Sequence, residues 1–130
     1  KVIESKEVPG CKEFIEKYHK KLNFWIITGT PTPEIEIIVK ERGLSNYFIG
    51  LHGSPKNKRY WTEYLITKHN LNRKETLFLG DATTDQNAAV FSNLNFMLRE
   101  NEENKELFKN FKGIKFKDFA ELENKIKNNV

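Results

Sequence analysis

Two aspartates, four residues apart and directly after a short apolar run, are the side chains of this sequence best placed to do chemistry. Residues 76–79 are short, mostly apolar and bulky, which is typical of a buried strand in a parallel sheet. Gly80 allows a sharp turn, so Asp81 should lie at the carboxyl end of that strand, where open α/β sheets bind ligands. With Asp85 beside it, the pair offers hard oxygen ligands that suit Mg²⁺. The alternative is that both aspartates only cap the helix that follows.

Polar groups also follow an earlier strand and an intervening turn. Thr28 and Gly29, with Thr30 after them, end an apolar run at residues 24–27. Residues 53–58 read Gly-Ser-Pro-Lys-Asn-Lys, a turn that leads into a helical pattern and carries two lysines. In chain order the sequence therefore presents a strand-end hydroxyl, a lysine at a helix start and a strand-end aspartate pair. Taken singly, each has an ordinary explanation as a surface lysine, a strand terminus or a solvated helix residue.

The order of these groups resembles the haloacid dehalogenase-like (HAD) hydrolases, most closely the phosphatases that carry a small helical cap. In that family the second motif is a Thr or Ser after a hydrophobic strand, which falls on Thr28. The third motif is a lysine, placed on Lys58 by the pattern Gly-Ser-Pro-x-x-Lys, with Lys56 as the second choice. The fourth is Gly-Asp-x-x-x-Asp, which residues 80–85 match. The resemblance covers nearly the whole chain.

The resemblance implies a Mg²⁺-dependent hydrolase of phosphate monoesters that works through an aspartyl-phosphate. In such an enzyme Mg²⁺ offsets the repulsion between the attacking carboxylate and the phosphate dianion. Asp81 would bind the metal directly or through water, and Asp85 would orient Asp81 or its waters. The implied substrate is a small phosphorylated metabolite, such as a sugar phosphate, phosphoglycolate or a nucleotide.

The same resemblance assigns the phosphate-binding groups. Lys58 would neutralise both the nucleophile and the phosphoryl oxygens. The Thr28 hydroxyl, with the backbone N–H groups of Gly29 and Thr30, would hold a phosphoryl oxygen.

The first motif of the family, an Asp-x-Asp pair that supplies the nucleophile and the general acid/base, has no counterpart in the sequence. The three aspartates are Asp81, Asp85 and Asp118, and Asp118 lies in a segment rich in Lys and Phe. Because the chain begins at Lys1, we expect residues 1–130 to be the C-terminal part of the core, inactive alone. A missing N-terminal segment of the same protein would carry the cap and complete the fold. The alternative is a non-catalytic module that binds phosphate or Mg²⁺, or an interaction domain.

Helical and strand patterns alternate along the chain, which predicts an α/β fold with a Rossmann-like parallel sheet and helices on both faces. The predicted helices span 11–22, 32–43, 57–69, 84–91, 102–111 and 119–126. In the second of these Thr32 is the expected N-cap and Pro33 the first helical residue. The predicted strands span 24–27, 47–51, 76–79, 95–98 and 114–116. In the family's strand order the first-motif strand is central and lies between strands 24–27 and 76–79. We therefore expect those two strands not to pair with each other.

Composition fits a folded domain with a small-molecule ligand. The 130 residues include 31% charged and 12% aromatic side chains, with a net charge of +4 and a pI near 9.1. The lysines are scattered among Glu and Asn and match no nucleic-acid recognition motif, so no nucleic-acid partner is expected. No apolar run reaches the ~18 residues of a membrane helix, so no membrane partner is expected either. The single Cys11 excludes an internal disulfide and suits a reducing cytoplasm.

Overall fold

The computed structural model describes residues 10–129, in which helices and strands alternate. The helices are α1 (Cys11–Tyr18), α2 (Thr32–Glu41), α3 (Lys58–His69), α4 (Thr83–Phe91) and α5 (Phe119–Asn129). The strands are β1 (Trp25–Pro31), β2 (Gly50–Ser54), β3 (Leu77–Gly80), β4 (Asn95–Arg99) and β5 (Ile114–Phe116). Two short 3₁₀ turns, Ser45–Tyr47 and Arg73–Glu75, precede β2 and β3. The α/β class predicted from the alternation is confirmed.

The strands form two parallel ladders. In one, β1 pairs with β2, and in the other the order is β3-β4-β5, with every pair parallel. Within residues 10–129 no backbone ladder joins β1 to β3. This confirms, for the described part of the chain, that the two motif-bearing strands do not pair directly.

Consecutive side chains of β1 and β3 point to opposite faces, and each face is covered by helices. Ile26 packs in one cluster with Ile35 and Val39 of α2, whereas Ile27 packs with Phe78, Leu65 of α3 and the alanines of α4. In β3, Leu79 faces the cluster formed by α1 and α5. Helices α1, α2 and α5 therefore cover one face, and α3 and α4 cover the other. Because Ile27 and Phe78 share a cluster, the two ladders lie side by side.

Local capping explains where several helices begin and end. The Asn57 side chain accepts a hydrogen bond from the Tyr60 N–H at 2.8 Å and so starts α3, and Asn70 ends it in the left-handed conformation. The Asp118 side chain accepts a hydrogen bond from the Glu121 N–H at 2.9 Å. This third aspartate therefore caps α5 and is explained by helix formation alone.

Helix α1 ends at Tyr18 rather than at residue 22, and β1 ends at Pro31 rather than at residue 27. Three further local expectations differ from the structure. Thr32 is the first residue of α2 rather than its cap, because its hydroxyl accepts a hydrogen bond from the Gly53 N–H at 2.9 Å. Strand β2 begins three residues later than predicted, since a 3₁₀ turn at Ser45–Tyr47 occupies the start of the predicted strand. Residues 102–110 form consecutive turns, not the predicted helix. Reciprocal Asn101–Asn104 side-chain contacts hold that segment in turns.

His52 makes the stability of the fold dependent on pH. It lies half-buried in β2, with its ring centroid 4.4 Å from that of Trp61. Burial, and then the charges of Lys68 and His69, lower the pKa of His52. A lowered folded-state pKa gives stability that is present above the unfolded pKa and is lost as pH falls through the folded pKa.

We predict that the free energy of unfolding decreases when pH falls from about 7.5 to about 5.5, a range above the titration of most carboxylates. His52→Gln should show a smaller decrease, because glutamine gains no proton in that range. Urea unfolding at both pH values measures the difference. Equal decreases in the two proteins would contradict the assignment to His52.

Candidate functional site

The turn after β3 depends on a close approach between Gly80 and Asp85. A Cβ on Gly80 would lie only 2.6 Å from the Asp85 Oδ2 atom. The absence of that atom lets the Asp85 side chain fold back over the strand end, where it is 0% exposed. The glycine of the Gly-Asp-x-x-x-Asp pattern is therefore a packing requirement of the second aspartate.

The Asp85 carboxylate holds the loop that carries Asp81. Its Oδ2 atom accepts hydrogen bonds from the backbone N–H groups of Asp81 and Ala82, both at 3.1 Å. Ala82 is the residue before α4, so Asp85 also satisfies a donor at the helix N-terminus. Asp85 thus orients the backbone of Asp81.

Lys58 approaches the other oxygen of the same carboxylate. Its Nζ atom lies 2.9 Å from Asp85 Oδ1 and donates to the Thr84 hydroxyl, also at 2.9 Å. The contact with Asp85 has the distance of an ion pair without the alignment of a hydrogen bond. The Lys58 side chain is 16% exposed. Since an isolated buried carboxylate is costly, the ammonium and the two N–H donors are what allow Asp85 to be fully buried.

The two candidate lysines lie in different surroundings. Lys56 is exposed, and its Nζ atom lies 4.9 Å from the centroid of the Tyr60 ring. Lys58 is the lysine that contacts Asp85, so the geometry favours it over Lys56 as the third-motif residue.

Thr28 lies at the irregular end of β1. From Ile27 to Pro31 the strand advances four residues while β2 advances two, so Thr28, Gly29 and Thr30 bulge out of the ladder. The Thr28 side chain is 5% exposed and its hydroxyl accepts a hydrogen bond from the Thr30 N–H at 3.2 Å. The Thr30 N–H would have to exchange this acceptor to hold a phosphoryl oxygen.

Close packing against Gly53 supports the same bulge. A Cβ at Gly53 would lie 2.9 Å from the Thr32 nitrogen, so the end of β2 can approach this turn only as glycine. The structure therefore places the predicted groups in two parts. Lys58, Asp81 and Asp85 are joined by direct contacts, whereas no hydrogen bond or ion pair among residues 10–129 links Thr28 to them.

The carboxylates of the candidate site supply only part of the oxygen ligands that Mg²⁺ requires. Both oxygens of Asp85 are engaged, which leaves the Asp81 carboxylate as the oxygen donor of the pair that can face a cation. In the described part of the chain no three His, Cys, Asp or Glu side chains cluster in a way that could hold a metal. Mg²⁺ keeps several waters and commonly takes one or two carboxylates together with substrate phosphates, so Asp81 fits as one ligand of such a site.

Two residues that sequence reasoning missed contact these groups. Thr84 accepts a hydrogen bond from Lys58, and Asn104 donates one to the Asp81 carbonyl at 2.8 Å. Thr84 sits inside the Gly-Asp-x-x-x-Asp pattern, where a hydroxyl beside the lysine could have been expected. Asn104 lies 23 residues beyond Asp81 in a segment that looked like a polar helix, and nothing in the sequence signals its contact.

The family model for haloacid dehalogenase-like hydrolases matches residues 2–99 of the chain. No curated protein matches the sequence of this chain. Similar solved structures include a HAD-superfamily hydrolase from Ehrlichia chaffeensis (16% identity, TM-score 0.78, covering 97% of this chain and 60% of that one). Another is a predicted phosphatase from Clostridium acetobutylicum (18% identity, TM-score 0.79, covering 95% of this chain and 61% of that one). A third is a HAD-hydrolase from Bacillus subtilis bound to magnesium (15% identity, TM-score 0.75, covering 90% of this chain and 53% of that one).

The TM-scores of 0.75 to 0.79 show a fold shared with these three structures. The chain spans between 53% and 61% of the length of the three structures. No helix among residues 10–129 has the length and apolar character to cross a membrane.

The contact between Gly80 and Asp85 gives a matched pair of variants. Gly80→Ala should destabilise the protein by about 1–3 kcal/mol, because the added methyl overlaps Asp85. Gly29→Ala should change stability by less than about 0.5 kcal/mol, since nothing lies within 4 Å of a Cβ there. Urea unfolding of both variants measures the effects. Equal stabilities would show that the Gly80 site can relax.

Proposed function

We propose a function that starts from the family: this chain belongs to the haloacid dehalogenase-like hydrolases. In the proposal the chain supplies the phosphate- and metal-binding half of a Mg²⁺-dependent phosphomonoester hydrolase. The observation that carries the proposal is the junction at Asp85. One carboxylate contacts Lys58 through Oδ1 and holds the Asp81 loop through Oδ2. The Lys58 ammonium and the backbone of Asp81, the candidate metal ligand, are thereby both held by one carboxylate next to the end of β3.

The chemistry that this arrangement can serve is phosphoryl transfer, in which catalysis is mainly positioning and charge stabilisation. The Lys58 ammonium would stabilise the negative charge of the phosphoryl oxygens. The Asp81 carboxylate would hold Mg²⁺, which when bound offsets repulsion between an attacking carboxylate and the phosphate. The Thr28 hydroxyl and the Gly29 N–H would bind a phosphoryl oxygen from the neighbouring strand end.

The nucleophile in this proposal is an aspartate from a segment of a longer protein. Its carboxylate would attack phosphorus, the alcohol would leave, and water would hydrolyse the aspartyl-phosphate to release phosphate. Two observations support this domain assignment: β1 and β3 are not paired within residues 10–129, and the chain spans little more than half of similar structures. An Asp-x-Asp pair after an apolar run, upstream of Lys1 in the parent gene, would agree with it.

The second candidate function is a non-catalytic phosphate- or Mg²⁺-binding module, and the aspartate content of the sequence favours it. Asp81, Asp85 and Asp118 are the three aspartates, and each has a place outside an Asp-x-Asp motif. A parent gene without that motif upstream of Lys1 would favour this module over the hydrolase.

Lys58 and Lys56 provide a matched test of phosphate binding. Lys58→Met should weaken binding of inorganic phosphate in the presence of Mg²⁺ by at least about tenfold, because a charge-assisted contact is lost. Lys56→Met should leave the affinity within about twofold, since Lys56 lies over Tyr60. Isothermal titration calorimetry measures both. Lys58→Arg keeps the positive charge and controls for damage to the fold around Asp85.

Two outcomes of this calorimetry would contradict the proposal or its choice of lysine. If the unaltered chain binds no phosphate with Mg²⁺ present, it is not the phosphate-binding half of a hydrolase. If Lys56→Met causes the larger loss, the third-motif lysine has been misassigned.

Activity gives a separate prediction. The purified chain should not hydrolyse a generic phosphate monoester such as p-nitrophenyl phosphate with Mg²⁺ present, because no nucleophile motif lies in its sequence. Release of p-nitrophenol over time measures this. Turnover that survives repurification and disappears in Asp81→Ala would reveal a nucleophile within the chain.

A further inference from the structure

The side chain of Asn104 reaches the candidate site from a segment that carries none of the motifs. Asn104 is 7% exposed and lies in the turns after β4. Its Nδ2 group donates to the carbonyl oxygens of Asp81, at 2.8 Å, and Arg99, at 3.0 Å. Its Oδ1 atom accepts from the Asn101 N–H at 2.8 Å. Both amide atoms of this buried side chain are therefore satisfied by backbone partners.

The contact with Asp81 falls on a peptide unit that is already held at its other end. The Asp81 carbonyl and the Ala82 N–H belong to one planar unit. Asn104 binds its oxygen, and Asp85 Oδ2 accepts from its N–H at 3.1 Å. The preceding unit is held by the Asp81 N–H, which donates to the same Oδ2 atom. Fixing two consecutive units fixes the direction in which the Asp81 side chain leaves the backbone.

We propose that Asn104 is a positioning residue that aims the Asp81 carboxylate. It acts through the backbone of Asp81, and it holds one end of the unit while Asp85 holds the other. Groups that orient a metal ligand in this way change metal affinity even though they do not touch the metal. The inference rests on the proposed function for the identity of the ligand, Mg²⁺, but the positioning can be measured without it.

The alternative to a positioning role is that Asn104 only shapes its own turn, and a control variant separates the two roles. The Asn101 side chain accepts a hydrogen bond from the Asn104 N–H at 2.8 Å, so the two asparagines also shape their own turn. Asn101→Ala removes that contact but leaves the Asn104 side chain in place. Asn104→Ala removes the contact with Asp81, together with those to the Arg99 carbonyl and the Asn101 N–H. If Asn104 only shapes the turn, the two variants should have similar effects.

Amide hydrogen exchange tests the positioning directly. In Asn104→Ala the Ala82 amide should exchange about three to ten times faster than in the unaltered chain, as expected for the loss of one hydrogen bond. The Leu98 amide in β4 should be unchanged, which separates a local effect from global unfolding. Asn101→Ala should leave the Ala82 rate nearly unaltered. Asn104→Ser, a smaller change with the same expected direction, serves if the alanine variant does not fold.

Equal acceleration at Ala82 and Leu98, equal effects of the two alanine variants, or no acceleration at Ala82 would overturn the proposal. Mg²⁺ titration, followed by the amide resonances of Asp81 and Ala82, adds the functional readout. Asn104→Ala should raise the apparent Kd for Mg²⁺ by at least about tenfold, with Asn101→Ala within about twofold. An unchanged Kd in Asn104→Ala would also overturn it.

The two proposals fail in different ways. If the unaltered chain shows no Mg²⁺-dependent shift at Asp81, the metal-binding part of the proposed function is wrong, while the exchange rates still decide the positioning role. If Mg²⁺ binds and the exchange rates do not respond to Asn104→Ala, the proposed function stands and the positioning role is wrong.

Discussion

The buried carboxylate of Asp85 is the group on which the candidate site depends. A carboxylate that is 0% exposed must have its charge compensated, and here Lys58 and two backbone N–H groups do so from three directions. Each partner is constrained in return. Lys58 is held at the start of α3, Asp81 is held at the end of β3, and Gly80 must lack a side chain. One electrostatic requirement thus links Lys58 at the start of α3 to the Gly-Asp-x-x-x-Asp turn after β3.

Helices α3 and α4 are linked to each other at two places. Near the start of α3 and α4 the link is the contact of Lys58 with Asp85. Farther along, Arg73 donates to the carboxylate of Glu63, in the middle of α3, at 3.0 Å and to the carbonyl of Ser92, directly after α4, at 2.6 Å. The Arg73 guanidinium also lowers the pKa of Glu63. Since Glu63 is on α3 and Ser92 follows α4, the relative position of the two helices is fixed apart from the sheet.

The sequence was sufficient to predict what short-range patterns control. Apolar runs that end at Thr28 and Gly80 predicted strands that start within one residue of the observed ones, since burial and glycine punctuation are local properties. Strand β3 ends one residue, and β1 four residues, beyond its predicted end. The ion pair of Lys58 with Asp85, 27 residues apart, was not expected, because the family resemblance gave Lys58 the nucleophile and the phosphoryl oxygens as partners. Tertiary contacts decided the rest. The Thr32 hydroxyl accepts a hydrogen bond from the Gly53 N–H and does not cap α2. The Asn104 side chain, in a segment predicted to be helical, donates to the Asp81 carbonyl instead.

The lack of a ladder between β1 and β3 bears on how much of the site is preformed. A buried backbone group without a partner costs about 1–3 kcal/mol, so an unpaired strand edge favours pairing with a further strand. The contacts that place Lys58 and Asp81 do not depend on such a strand, because they run through Asp85, Ala82 and α3. Ile27 and Phe78 pack together across the two ladders. Lys58 and the Asp81 loop can therefore be positioned by this chain alone, whereas within residues 10–129 no hydrogen bond or ion pair joins Thr28, at the end of β1, to them.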